Sequence, residues 1–342
     1  MTRIDALAHP VAVGLIGAGG IGAFHGESLA HRAPETRLVA IADPSQAAAA
    51  RLAETTGCDS IYDDGASVLA DDRVEAVLIA APSQFHADLV VAASKAGKAV
   101  FCEKPMAVTL DDAHRAVGAA ADVPLQIGFN RRFDAGFRAA HDQVVGGRIG
   151  TPQLLRSLTR DPGIPDPAAV RHSTIFLETL IHDFDALRYL NPGAEAVDVY
   201  AVADALAYPD FADQGLQDTA VVMIRFDNGA IATAEASFHA TYGYDIRGEA
   251  FGPGGMVTAG DQRRTTATYF GPEGVVNDSW QRNVDLFHDA YVAQLRAFAH
   301  CVRDGSTPEV SGRDAVAALS IALAAVRSAG EGRPVRIDEV TR

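Results

Sequence analysis

Residues 176–185 read FLETLIHDFD. Glu178, His182, Asp183 and Asp185 stand there among leucine, isoleucine and phenylalanine. That is more ionisable groups than an amphipathic helix needs beside its apolar face. Glu178 and His182 are four residues apart and Asp185 follows His182 by three, so a helix would place all three on one face. A carboxylate beside an imidazole fixes the tautomer and stabilises the protonated ring, which suits a base working near neutral pH. Asp183 would point about 100° away from His182 and reads as solvated or paired elsewhere. The plainer alternative is a helix with one Glu–His pair worth about 0.2–0.5 kcal/mol and no chemistry.

A second constellation lies near the start. Gly17-Ala18-Gly19-Gly20-Ile21-Gly22 fits G-x-G-x-x-G. With 31 glycines in 342 residues, roughly 0.25 chance matches are expected, so the pattern alone is weak. Its context is stronger: it follows an apolar strand and opens a helix. Gly17 would make the tight turn, Gly19 would admit a pyrophosphate, and Gly22 would permit close packing. The pyrophosphate would sit on the helix N-terminus, where free N–H groups and the dipole favour anions. Asp43 ends the second strand, 21 residues after Gly22, where an acid can bond a ribose 2′-hydroxyl. Pro44 and Ser45 follow, with no arginine for a 2′-phosphate, so NAD is favoured over NADP. The alternative is an ordinary glycine turn with Asp43 at the start of the next helix. Glu103-Lys104-Pro105 follows the fifth strand. Ligands of open α/β sheets bind beyond the strands' carboxyl ends, which puts Lys104 near the cofactor, unless it is an ordinary surface lysine. The peptide bond before Pro105 is a candidate for cis geometry.

These groups need a frame. Apolar runs at 11–17, 38–43, 74–81, 98–105 and 125–130, with a short one near 60–63, alternate with helical stretches at 20–33, 44–57, 86–97 and 111–120. That pattern predicts a parallel sheet covered on both faces. After one more strand at 151–161 and a helix at 176–190, longer alternating segments run from Val197 to about Tyr269: VDVYAVADAL, TAVVMIRF, AIATAEASF, GMVTAG and TTATYF. Asp227-Asn228-Gly229 marks a hairpin among them. Helices at 284–303 and 313–329 close the chain. The expected class is α/β: a dinucleotide-binding Rossmann domain over 1–129, then an α/β domain over 130–342 with a large, open, mostly antiparallel sheet.

Composition narrows the partners. Lys plus Arg is 29 against 44 Asp plus Glu, a net charge of −15, which argues against nucleic-acid or anionic-membrane binding. Cys58, Cys102 and Cys301 are widely spaced, which fits a reducing cytoplasm better than disulfides or a thiolate metal site. The first ten residues lack an apolar signal core, and no run reaches the about 18 apolar residues of a membrane span.

Taken together, GAGGIG, Asp43, AAPSQFH (80–86), EKP, GFNRRFD (128–134) and ETLIHDFD (178–185) fall in the order seen in the Gfo/Idh/MocA oxidoreductases. The resemblance extends through SGRDAVAALSIALAAVRS (311–328), and LIHDFDALRYL and TYGYDIRGEAFG resemble the inositol 2-dehydrogenase branch. It implies NAD(P)-linked oxidation of a secondary alcohol on a cyclic polyol or sugar, without a metal, in a homotetramer built on the open sheet. His182 would take the hydroxyl proton, supported by Glu178, and Lys104 would stabilise the developing alkoxide. Asp185, Asp161, one of Tyr242 and Tyr244, and Asn130 would meet the substrate. Pro82, His86, Glu103 and Arg131 would line the cofactor, together with Gly17, Gly19, Gly20, Ile21, Gly22, Asp43 and Lys104. His86 reads equally as an ordinary loop or helix-start residue, His25 as packing or capping, and Arg132 as the structural partner of a carboxylate. The inositol enzymes usually carry Asp where this chain has Glu178, which opens the choice of substrate to an aldose or another sugar derivative. A regulatory NAD sensor on the same fold is the rival outside catalysis.

Overall fold

The computed structural model describes residues 9–164, 170, 171, 174–272 and 274–341. Residues 1–8, where the sequence shows no signal core, lie outside them. The chain divides into two compact units, one of residues 1–133 with 289–316, the other of 134–288 with 317–342.

The first unit holds a six-stranded sheet in the order β3-β2-β1-β4-β5-β6. Its strands are β1 (Val11–Ile16), β2 (Thr36–Ala42), β3 (Ile61–Tyr62), β4 (Ala76–Ile79), β5 (Ala99–Cys102) and β6 (Leu125–Ile127). All pairings are parallel. Every residue of β1, β4 and β5 is buried, which explains why these strands read as continuous apolar runs rather than as alternation.

A division at 129/130 was expected; the first break falls after Phe133, and residues 289–316 return to the first unit. The cause is the His288–Asp304 helix. Its Leu295, Phe298 and Ala299 join the core of Val13, Leu15, Ile41 and Phe101, and Phe298 meets Phe101 edge-on at 5.9 Å. Arg296 on the same helix bonds both oxygens of Glu35, which is 2% exposed.

The second unit carries a seven-stranded sheet in the order β12-β11-β7-β10-β9-β8-β15. Its strands are β7 (Leu154–Arg160), β8 (Ala196–Asp204), β9 (Thr219–Phe226), β10 (Ile231–Ser237), β11 (Asp245–Gly252), β12 (Gly255–Ala259) and β15 (Val335–Arg336). Only β7–β10 pairs in parallel; the other five pairings are antiparallel. The Asp227-Asn228-Gly229 turn joins β9 to β10 as expected, with Gly229 at φ +89°. A separate hairpin pairs β13 (Arg263–Gly271) with β14 (Gly274–Ser279).

Strand β11 escaped the periodicity reading because its buried positions include Gly248, Ala250 and Gly252 rather than branched residues alone. Gly248 is required there, since a Cβ would lie 2.7 Å from the Phe137 ring. Phe137 belongs to the Ala135–Val145 helix, also unforeseen, which Asp134 caps at the Gly136 and Phe137 amides.

Burial raises the Glu35 carboxyl, but the Arg296 hydrogen bonds, backbone hydrogen bonding and the Arg296 charge together more than offset this, leaving a net downward shift. Such a group stabilises the fold above the ordinary carboxylate range and loses that contribution as pH falls through the lowered value. Arg296→Met should therefore remove about 2–3 kcal/mol at neutral pH. The deficit should shrink in acid, once Glu35 takes a proton. Urea melts at both pH values test this; an equal deficit in acid would remove the ion pair as the cause.

Candidate active site

Beyond β1, Gly17 adopts φ +102°, and a Cβ there would lie 2.6 Å from the Ala80 carbonyl. A Cβ on Gly22 would lie 2.0 Å from the Gly17 oxygen, so the turn closes only with glycine at both positions. Gly19 and Gly20 differ: a Cβ on either meets nothing within 4 Å. Both are exposed, and Ile21 beside them is half-exposed. The Gly20–His31 helix starts there with no side-chain cap and no acid in its first turn. Open space before uncapped amides is what an approaching pyrophosphate requires. Asp43 accepts from the Ala18 and Ser45 amides, each at 2.7 Å. It thus ties the glycine turn to the end of β2 and supports the start of the next helix, while remaining half-exposed.

Lys104 is half-exposed just after β5, and its bond to Pro105 is cis. Pro82 is exposed after β4. Two neighbours expected along the cofactor have side chains committed elsewhere. His86 is 1% exposed, and its Nδ1 and Nε2 lie 2.8 and 2.7 Å from the carbonyl oxygens of Pro105 and Ala81. Glu103 is 6% exposed, with Oε1 2.7 Å from His25 Nε2 and Oε2 accepting the Lys104 amide at 3.2 Å. Any cofactor contact from positions 86 and 103 therefore falls to the backbone. Burial raises the Glu103 carboxyl, but the hydrogen bond from His25, with the Lys104 charge and amide, holds it below the ordinary value. His25, read as packing, is thus a hydrogen-bonding partner; its place one turn after Ile21 on the glycine-led helix was the available signal. Asn130 and Arg131 are buried in a short 3₁₀ turn. Arg132 bonds Asp314 at 2.9 Å, the structural pairing expected of it.

In the second unit the expected regular helix over 176–190 is composite. Ile175–Thr179 forms a π-helical turn and Leu180–Tyr189 an α-helix. Glu178 sits in the π turn, where i→i+5 bonding widens the spiral, so the 3.6-residue argument does not by itself set its direction towards His182. Both residues are half-exposed. Asp183 is fully buried, not solvated: its oxygens accept from Ser157 Oγ at 2.5 Å and Thr159 Oγ1 at 2.7 Å. Those two hydroxyls stand on one face of β7 and anchor the helix to the sheet. Asp185, expected to bind a substrate hydroxyl, is 1% exposed.

Asp161 follows β7, half-exposed, and its backbone bonds Ser237 and Ala240. Of the two tyrosines, Tyr242 donates its O–H to Asp245 at 2.9 Å, and Arg247 grips the same buried carboxylate at 2.8 and 3.1 Å. Tyr244 is half-buried, and burial together with the Asp161 charge pushes its phenol above the ordinary value. It stays a protonated donor beside an acceptor, a combination that suits a hydroxyl-bearing ligand.

Comparison with known proteins agrees with both units. Residues 11–130 match an oxidoreductase family with an NAD-binding Rossmann fold, and residues 137–258 match the Gfo/Idh/MocA C-terminal domain. The chain is 38% identical over 335 residues to a myo-inositol 2-dehydrogenase of Thermotoga maritima, covering 96% of this chain and 99% of that one. It is 35% identical to a scyllo-inositol 2-dehydrogenase (NAD(+)) of Bacillus subtilis, with 96% and 97% covered. A scyllo-inositol dehydrogenase from Lactobacillus casei, solved with bound NAD(H) and scyllo-inositol, superposes with a TM-score of 0.92 at 25% identity, covering 96% of this chain and 99% of that one.

The glycine geometry separates binding from folding. Gly19 has φ −67°, ordinary for any residue. Gly19→Ala should leave the melting temperature unchanged while weakening NAD binding about tenfold or more, the factor corresponding to about 1.4 kcal/mol. Gly22→Ala should lower both. Calorimetric NAD titration alongside thermal melts decides it, and equal NAD affinity for Gly19→Ala and wild type would refute the assignment.

Proposed function

The chain belongs to the Gfo/Idh/MocA oxidoreductases, and we propose that it oxidises a ring hydroxyl of an inositol, most simply myo-inositol to the 2-keto product, with NAD. The observation that carries this is likeness across 96% of the chain to inositol 2-dehydrogenases, in a protein whose Lys104, Glu178 and His182 all keep partial exposure.

The glycine turn and the uncapped helix start hold the dinucleotide pyrophosphate. Asp43, with no arginine after it, suits a free ribose 2′-hydroxyl and disfavours the NADP phosphate. NAD, when bound, accepts the hydride that leaves the alcohol carbon. His182 takes the proton from the hydroxyl, and Glu178 stabilises the imidazolium that results. Lys104 donates to the same oxygen and meets its growing negative charge. Tyr244 and Asp161 offer a donor and an acceptor to neighbouring hydroxyls. Asn130 and Arg131 are further candidates to meet the nicotinamide or the substrate.

The open sheet is proposed as a homo-oligomer contact. On its outer face Tyr200 pairs across from Met223 and Val202 from Val221, while Leu154 lies between Ile231 and Phe251; all are between 37% and 58% exposed. Two exposed apolar groups on one sheet face are the kind of surface that a partner copy covers. Three free, buried cysteines support a cytoplasmic setting.

NADH absorbance with myo-inositol, scyllo-inositol, D-glucose and D-xylose, and with NADP in place of NAD, tests the reading. Turnover of an inositol with NAD is expected. His182→Ala and Lys104→Met should each lose about a hundredfold to ten-thousandfold in kcat while still binding NAD. Turnover of a pyranose alone would move the substrate to sugars and point to Glu178. NAD binding without any turnover would favour a regulatory protein. Separately, Val221→Glu should shift the light-scattering mass towards the monomer; an unchanged mass would exclude this face as the contact.

A further inference from the structure

The residue before Lys104 is a carboxylate almost wholly removed from water. A buried carboxylate without donors costs several kcal/mol, so its contacts must account for it. Glu103 Oε1 lies 2.7 Å from His25 Nε2, and Oε2 accepts the Lys104 amide. The chain also makes room for it: a Cβ on Gly128 would lie 2.9 Å from Glu103 Cδ and from both its oxygens. His25 is fully buried, with the rings of Phe101 and Tyr291 edge-on at 5.7 and 5.6 Å. Its Nδ1 has no partner among the described residues, so the Nε2–H tautomer donating to Glu103 satisfies the pair.

The other side of Lys104 is held in a parallel way. The carbonyl of Pro105 lies 2.8 Å from His86 Nδ1, and the same ring reaches the Ala81 carbonyl beyond β4. Residues 103 and 105 are therefore each fixed by a buried imidazole. One comes from the Gly20–His31 helix and the other from the His86–Lys95 helix. Stability alone does not explain the first of these, because replacing both partners of a buried polar pair by well-packed apolar groups is commonly near neutral.

We propose that His25, acting through Glu103, is a positioning residue for Lys104. It ties the lysine to the helix whose N-terminus receives the dinucleotide, and His86 steadies the far side of the same loop. The role rests on the reading of Lys104 given above.

Three variants test it: His25→Leu, His25→Gln and Glu103→Gln. Two readouts are followed. One is the rate and pH profile of Lys104 acylation by acetic anhydride in NAD-free protein, measured by peptide mass. The other is kcat and KM with myo-inositol. His25→Leu should alter the Lys104 acylation profile and lower kcat about tenfold to hundredfold, with KM for inositol and NAD affinity little changed. His25→Gln keeps an N–H within reach of the carboxylate and should recover most of that loss. If His25→Leu fails to fold, the isosteric Glu103→Gln carries the test with the same expected change. Wild-type acylation and turnover in His25→Leu, or in Glu103→Gln if that variant replaces it, would overturn the proposal, as would a His25→Gln as impaired as His25→Leu. Wild-type protein inert to every inositol would sink the functional reading instead, and the acylation profiles would then decide the positioning role alone.

Discussion

A carboxylate taken out of water must be met by donors, and much of this molecule is arranged around that requirement. Glu35, Glu103, Asp183 and Asp245 are all buried. The first three are each answered from a different element, by Arg296, by His25 and by the Ser157 and Thr159 hydroxyls, and Asp245 by its chain neighbours Arg247 and Tyr242. These pairings constrain more than an apolar contact would, because hydrogen bonds fix direction as well as distance. The returning helix is set by the first, the loop before Lys104 by the second, and the helix bearing His182 by the third.

The acid-rich helix illustrates a division of labour within ten residues. Asp183 and Asp185 are buried, while Glu178 and His182 keep partial exposure. The Asp183 bonds to Ser157 and Thr159 give an otherwise apolar helix–sheet contact a specific register. A change at Asp183 would thus reach His182 without touching it.

What the sequence made legible follows the range of the interactions. The glycine turn, Asp43 and the parallel strands are local patterns in which neighbours in the chain are neighbours in space. The His25–Glu103 bond spans 78 residues and the Arg296–Glu35 bond 261, and no periodicity encodes either. Strand β11 was hidden because the ring of Phe137 demands glycine where a strand usually shows a branched side chain. The π turn was hidden because it shifts backbone bonding without any change of composition. Tyr242 and Tyr244 were indistinguishable until Asp245 was seen to occupy the first.

The path of the chain through the first unit has a consequence for biosynthesis. That unit needs Leu295, Phe298 and Ala299 to complete its core, yet residues 134–288 are made in between. A nascent chain can form the parallel sheet early but must leave one face of its core open until those last residues emerge from the ribosome. At about 5–20 residues per second, that interval is on the order of ten to thirty seconds. During it the second unit's strands are being made beside an exposed apolar surface, and protection of that surface by chaperones becomes part of what this topology demands of the cell.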